Sequence, residues 1–223
     1  MKNSLKVKKA TYHLWTLTVS KMISTFGAQV YAFAISFYIL QATGSAASFA
    51  ANLICNILPR TIAAPFAGYI VDNYSRKKIV IFSQIASSLA IAGLLIVSFK
   101  TGLSLSAIYT TSCILSLTSI FSGVAFSSSI TGLVDQDRIQ KAMSLNQMSI
   151  SFASIGSPAI GGLLYGTVSM STFLFVYMAA SSIAVILEST MNFNLFTSKN
   201  TEDDEKEPIW ESMKSGIDYI KTQ

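Results

Sequence analysis

Charged side chains gather almost entirely in four clusters, at the N-terminus, at Asp72 to Lys78, at Asp135 to Lys141 and after Lys199, with long apolar runs between them. This segregation limits the fold more than any single motif. A helix needs roughly 20 residues to cross a ~30 Å hydrocarbon core, and a spanning segment must satisfy all its own backbone hydrogen bonds. The runs are long enough to do so. Six spans are expected, at about Leu14 to Leu40, Ser48 to Val71, Ile79 to Phe99, Leu105 to Ile130, Ala142 to Tyr165 and Phe173 to Leu195. The fold class is an all-α membrane protein with six transmembrane helices. Only 12% of the residues are charged, against about a quarter in soluble domains, and mean hydropathy is +0.51. The first run follows Lys2, Lys6, Lys8 and Lys9, as in a signal peptide, but it outlasts a cleavable apolar region and reads as a retained anchor.

The charges orient the spans. With the N-terminus inside, the cytoplasmic segments hold Lys2, Lys6, Lys8, Lys9, Arg76, Lys77, Lys78, Arg138, Lys141, Lys199, Lys206, Lys214 and Lys221, and the outer loops hold only Lys100. Cytoplasmic loops carry the excess of Lys and Arg, so both termini are expected in the cytoplasm. Residues 1–13 form a basic tail, 14–195 the bundle, and 196–223 a cytoplasmic linker. The linker opens with the polar stretch TSKNTEDDEKE. Beyond Pro208, Ile209, Trp210, Met213, Ile217 and Ile220 recur at helical spacing, as in an amphipathic helix.

Polar residues inside the spans mark the candidate substrate path. Lys21, Thr25 and Gln29 share one face of the first span at i, i+4 and i+8, and Asn52, Asn56 and Arg60 do so in the second. Arg60 precedes Asp72 by a helical rise of ~18 Å, which places it near mid-membrane. An arginine there costs roughly 2.5 to 3.5 kcal/mol even on the mild insertion scale, so it needs water or a partner. Glu188, in the sixth span, is the candidate partner. The alternative for these charges is a structural ion pair, or snorkelling of Lys21 and Glu188 to the interface.

Other functions find little support. No nucleophile sits with a base, and there is no phosphate-binding loop or metal-ligand spacing, so neither an enzyme nor a bound cofactor is expected. Cys55 and Cys113 lie inside apolar runs and read as small core residues. His13 reads as interfacial. Net charge is +5, but the bases belong to inside-facing loops, which argues against nucleic acid as a partner.

The segment from Leu58 to Lys78, LPRTIAAPFAGYIVDNYSRKK, resembles the second helix and following loop of the major facilitator superfamily. The family's loop signature is G-x-x-x-D-(R/K)-x-G-(R/K)-(R/K)-(R/K). Gly68, Asp72, Arg76, Lys77 and Lys78 match it, whereas Asn73 and Ser75 replace its first base and second glycine. In the fifth span, SISFASIGSPAIGG is similar to the antiporter motif of the family's exporters, with Gly156, Pro158, Gly161 and Gly162 in place and Ser157 for one glycine. Ser149, Ala153 and Ser157 recur every four residues, and Gly162 and Gly166 share that spacing. Small residues at this period let helices pack closely, and generic packing is the alternative reading of the motif. Further likenesses, at Ser24, Phe26, Gly27, Thr43 to Ser45, Pro59, Pro65, Leu145 and Asn146, are to the macrolide-efflux and enterobactin-exporter branch.

The resemblance implies the N-terminal half of a twelve-helix transporter, made of two inverted three-helix repeats, multi-pass in the plasma membrane of a bacterium. It implies export of small amphipathic molecules, drug-like or siderophore-like, by proton-coupled alternating access. Asp72 with its neighbouring bases would latch the cytoplasmic side, with Gly68 allowing close helix approach. Expected partners are the lipid bilayer, a small-molecule substrate, and a second six-helix half or a second copy of the chain. Two alternatives stand beside export: a truncated or partner-dependent half without transport of its own, and uptake of a sugar or metabolite.

Overall fold

A computed structural model describes residues 2–191 and contains six helices there: α1 (Lys2–Thr43), α2 (Ala46–Asn73), α3 (Arg76–Thr101), α4 (Leu105–Leu133), α5 (Gln136–Thr167) and α6 (Met170–Thr190). All six have a stretch long and apolar enough to cross a membrane, the first beginning at Leu14. The helices run a few residues past the expected spans at most ends, because backbone hydrogen bonding continues into the polar flanks after hydropathy has fallen. The largest difference is at α1, which reaches back through the basic segment to Lys2. The expected linker at 196–223, with its amphipathic helix, lies outside the described residues.

Local chemistry sets the helix ends. Ser45, Ser104 and Ser169 cap α2, α4 and α6, each side chain accepting the N–H three residues on. Gly44 and Gly102 follow α1 and α3 with φ of 61° and 78°, a region costly for residues with a Cβ. Three prolines lie within helices, Pro59 and Pro65 in α2 and Pro158 in α5.

Side-chain bonds show which ends lie together. Arg138, at the start of α5, reaches Thr11 of α1, and Lys77 of α3 reaches the end of α6. This end, which also carries Asp72 and Lys78, is the basic end. At the opposite end Tyr165 bonds Gln41, Ser98 pairs with Ser171, and the Tyr109 hydroxyl donates to the Ser48 carbonyl. Helices therefore alternate in direction along the chain.

The packing follows an inverted repeat. α1 packs most extensively on α5, and α4 packs on α2, its counterpart when α1–α3 is exchanged with α4–α6. The pairs α1·α6 and α3·α4 map onto each other in the same way, and α3·α6 maps onto itself. Because α1 and α4 start from opposite ends, the relation inverts the topology.

Two apolar cores result, one at each end. The far-end core joins Tyr31, Ile35 and Ile39 of α1 to Ile91, Ile108 and Leu174. The basic-end core joins Leu14 and Leu17 of α1 to Val71, Val80, Phe126, Ile130 and Leu133. The layer between them is polar.

A polar cavity between two apolar cores

The middle layer contains a cavity of about 510 Å³. Lys21, Thr25 and Gln29 of α1 line it, as do Asn56 and Arg60 of α2, so the structure brings together five of the seven residues expected along the path. Lys21 also holds its ammonium 5.1 Å from the centre of the Phe126 ring, a cation–π contact that anchors the long side chain.

A hydroxyl from α4 bonds the backbone of the turn that leads to Arg60. Proline has no N–H, and its ring crowds the carbonyl of the preceding turn, so Pro59 disturbs the ladder here. Ser116 of α4 enters the disturbed turn: its hydroxyl donates to the Asn56 carbonyl at 2.7 Å and accepts the Arg60 N–H at 3.3 Å. Those two groups are an i, i+4 pair of the helix, so the hydroxyl sits on the backbone ladder itself. One hydroxyl thus satisfies both and pins the arginine's backbone to α4. The Arg60 side chain is exposed, and no described carboxylate lies within ion-pair distance of it.

Asn52 and Glu188 do not reach the cavity. Asn52 is fully buried, donating to Ser36 Oγ at 2.9 Å and accepting from Ser112 Oγ at 2.9 Å, which joins α2 to α1 and α4. Glu188 is 1% exposed and accepts from Ser20 Oγ at 2.8 Å. Its charged neighbour is Lys21, not Arg60. Glu188 lies near the basic end of α6, and Lys21 brings its charge to the same cavity lining as Arg60.

Part of the cavity wall escapes a reading based on charge. Gln84 and Ser87 of α3 and Ser119 and Ser122 of α4 also line it. The signal for α4 was present in the sequence as Ser112, Ser116, Ser119 and Gly123, small and polar residues spaced three or four apart in an apolar run. Serine is common in membrane helices as a packing residue, which hides such a stripe.

The loop at the basic end divides into two roles. Arg76 Nη1 donates to the Ser128 carbonyl near the end of α4 at 2.6 Å. Lys77 Nζ donates to the Ser189 and Met191 carbonyls at 2.9 Å each, closing α6. Lys77, a cation over the last carbonyls of α6, supplies missing donors and opposes the helix dipole, whereas the Ser128 carbonyl lies a turn inside α4. Asp72 and Lys78 are exposed. Gly68 would have no atom within 4 Å of an added Cβ, so no helix described here makes the close approach expected at that glycine.

The fifth-helix motif forms the contact with α1. A Cβ on Gly161 would stand 3.0 Å from Phe33 and 3.3 Å from the Val30 carbonyl, and one on Gly156 would stand 3.3 Å from Phe26. The buried stripe is Ser149, Ala153, Ser157 and Gly161. Gly162 turns partly away, and Pro158 is exposed.

A family model described as Major Facilitator Superfamily matches residues 17–220. The chain belongs to the major facilitator superfamily. It is similar to macrolide efflux protein A of Streptococcus pyogenes, 27% identical over 77% of this chain and 42% of that protein. A protein of the same name from Enterococcus faecalis is 28% identical over 64% of this chain and 44% of its own length. An uncharacterised MFS-type transporter of Bacillus subtilis, YfiS, is 24% identical over 93% of this chain and 49% of its length. The chain thus spans about half the length of the curated relatives it matches. As a major facilitator protein it is a multi-pass membrane protein, and its two three-helix repeats line the cavity described above.

Proposed function

We propose that this chain supplies one half of an exporter of small amphipathic compounds, working by alternating access and driven by proton entry. The observation that carries the reading is the mid-height cavity, where Lys21, Thr25, Gln29, Asn56 and Arg60 converge between two apolar cores. Polar residues at that depth are costly unless they meet water or a ligand, and a transporter binds its cargo there. The efflux names of the relatives support the outward direction.

In this reading the smooth contact of α5 on α1 permits small relative movement, and the loop at the basic end gates the cytoplasmic side. Arg76 and Lys77 keep α4 and α6 in place, which leaves Asp72 and Lys78 to meet whatever closes that side. Glu188 beside Lys21 supplies an exchangeable proton: protonating the carboxyl removes the charge that opposes the ammonium, so cavity charge and proton load are linked. Residues 1–13 and 196–223 are cytoplasmic segments flanking the bundle.

Because the chain covers 42% to 49% of its relatives, a second reading has specific support: a half that transports only with a partner. The test is energy-dependent uptake of a catecholate siderophore into inverted vesicles, with the chain alone and with a second half. Transport in the paired vesicles, lost in Arg60→Ala and Asp72→Asn while both variants still insert, is the expected result. Transport unchanged in both variants would remove the assigned path and latch. Transport by the chain alone would exclude the partner-dependent reading.

A further inference from the structure

The cavity's chemistry is one-sided. Lys21 and Arg60 bring two cations to its lining, and no aspartate or glutamate is among the lining residues. Lys21 is already opposed by Glu188 behind the wall. Arg60 is not opposed by any described group. Its backbone is pinned by Ser116 beside Pro59, and its guanidinium projects unspent.

Arg60 is accompanied by further unspent donors. Thr25, Ser119 and Ser122 hydroxyls and the Gln29 amide face the same space, with no hydrogen bond to the described protein. The guanidinium presents its N–H groups in a fixed fork that fits a carboxylate, sulfonate or phosphate group through two parallel bonds. Tyr31 and Tyr177, stacked at 5.4 Å and only 1% and 8% exposed, close the cavity on the far-end side as the edge of the apolar core. We propose that this cavity selects organic anions, taking an acidic headgroup on Arg60. The proposal rests on the reading of the cavity as the cargo path. It runs against a cationic cargo, because a second positive charge would enter beside Arg60 with no acid on the lining to offset it.

The test reads the field inside the cavity of the full chain in membranes. Cys55→Ala and Cys113→Ala remove the native thiols, and Ser119→Cys sets one on the exposed cavity wall. Labelling rates are compared for an anionic reagent, sulfonatoethyl methanethiosulfonate, and a cationic one, trimethylammonioethyl methanethiosulfonate, each relative to a free thiol in solution. The expected result is an excess for the anionic reagent of about tenfold or more, as charged clefts concentrate counter-ions by that order. Arg60→Gln should abolish the excess, Arg60→Lys should retain much of it, and 2-naphthoate but not 2-naphthylmethylammonium should protect the thiol.

Equal or faster labelling by the cationic reagent, or protection by the ammonium probe alone, overturns the anion preference and leaves the path intact. Absence of labelling by either reagent means that the cavity is closed to water, and this removes the cargo path as well. The ratio in the Arg60-containing protein decides the matter even where Arg60→Gln fails to insert.

Discussion

Asn52 shows what sequence spacing can and cannot say about a single residue. Asn52, Asn56 and Arg60 share one helix face, yet only the latter two line the cavity. The face is covered at its far end, where Ser36 and Ser112 close on the Asn52 amide from two other helices. That closure depends on contacts across 16 and 60 residues of sequence, which a local periodicity does not encode. The pairing of Glu188 was illegible for the same reason: the sequence offered two cations, and only the packing of α6 on α1 chooses Lys21. Asn52→Ala should strand the Ser112 hydroxyl and empty a buried polar joint. Interhelical hydrogen bonds in membranes average ~0.6 kcal/mol and reach ~1.7, so losing two should cost about 1 to 2 kcal/mol. Unfolding in mixed micelles measures this, with Asn56→Ala as the comparison. A larger loss in Asn56→Ala would refute Asn52 as the stronger joint, since the Asn56 side chain bonds only the Asn52 carbonyl one turn back.

The helices were the most legible elements, because length and hydropathy define a span independently of its neighbours. Their contact faces were less so. The small-residue stripe of α5 was visible as Ser149, Ala153 and Ser157, but its continuation could run to Gly161 or Gly162. Adjacent residues differ by 100° around a helix, and the choice is made by Phe33 and the Val30 carbonyl of α1. The two glycines therefore make a clean comparison. Gly161→Leu drives a side chain into backbone as well as ring and should destabilise the bundle by about 1 to 3 kcal/mol, the usual range for overpacking. Gly162→Leu, whose Cβ meets only a ring edge at 3.8 Å, should stay within ~0.5 kcal/mol of the parent. Thermal melting of the two variants in detergent provides the measure. Equal destabilisation would mean that α5 sits on α1 through a different face. In the loop motif, matching letters did not reveal that Arg76 and Lys77 bond α4 and α6 within their own half.

For the whole molecule, inverted packing places the ends of α2, α4 and α6 and the starts of α1, α3 and α5 at one end, so loop charge becomes a property of the bundle. Arg76, Lys77, Lys78, Arg138 and Lys141 all fall there, and Lys100 falls at the other end. Lys77 caps the C-terminus of α6, Arg76 bonds the Ser128 carbonyl of α4, and Arg138 is paired with Asp135 at 3.4 Å. The retained excess still favours the cytoplasmic side, because the orientation rule counts Lys and Arg near the spans and gives acids little weight. The prediction is that a thiol placed by Ser75→Cys in the α2–α3 loop resists an impermeant maleimide in intact spheroplasts and reacts in inverted vesicles. Gly102→Ser followed by Ser104→Cys gives the opposite pattern at the far end, the first change serving to report how far φ of 78° constrains that turn. The two loops lie at opposite ends of one helix, α3, so a single rigid element links the measurements. Reactivity of both thiols from the same side would break the alternating arrangement. Reversed reactivity would keep the fold and invert the membrane orientation, making Asp72 an extracellular latch and turning the proposed export path into one for uptake.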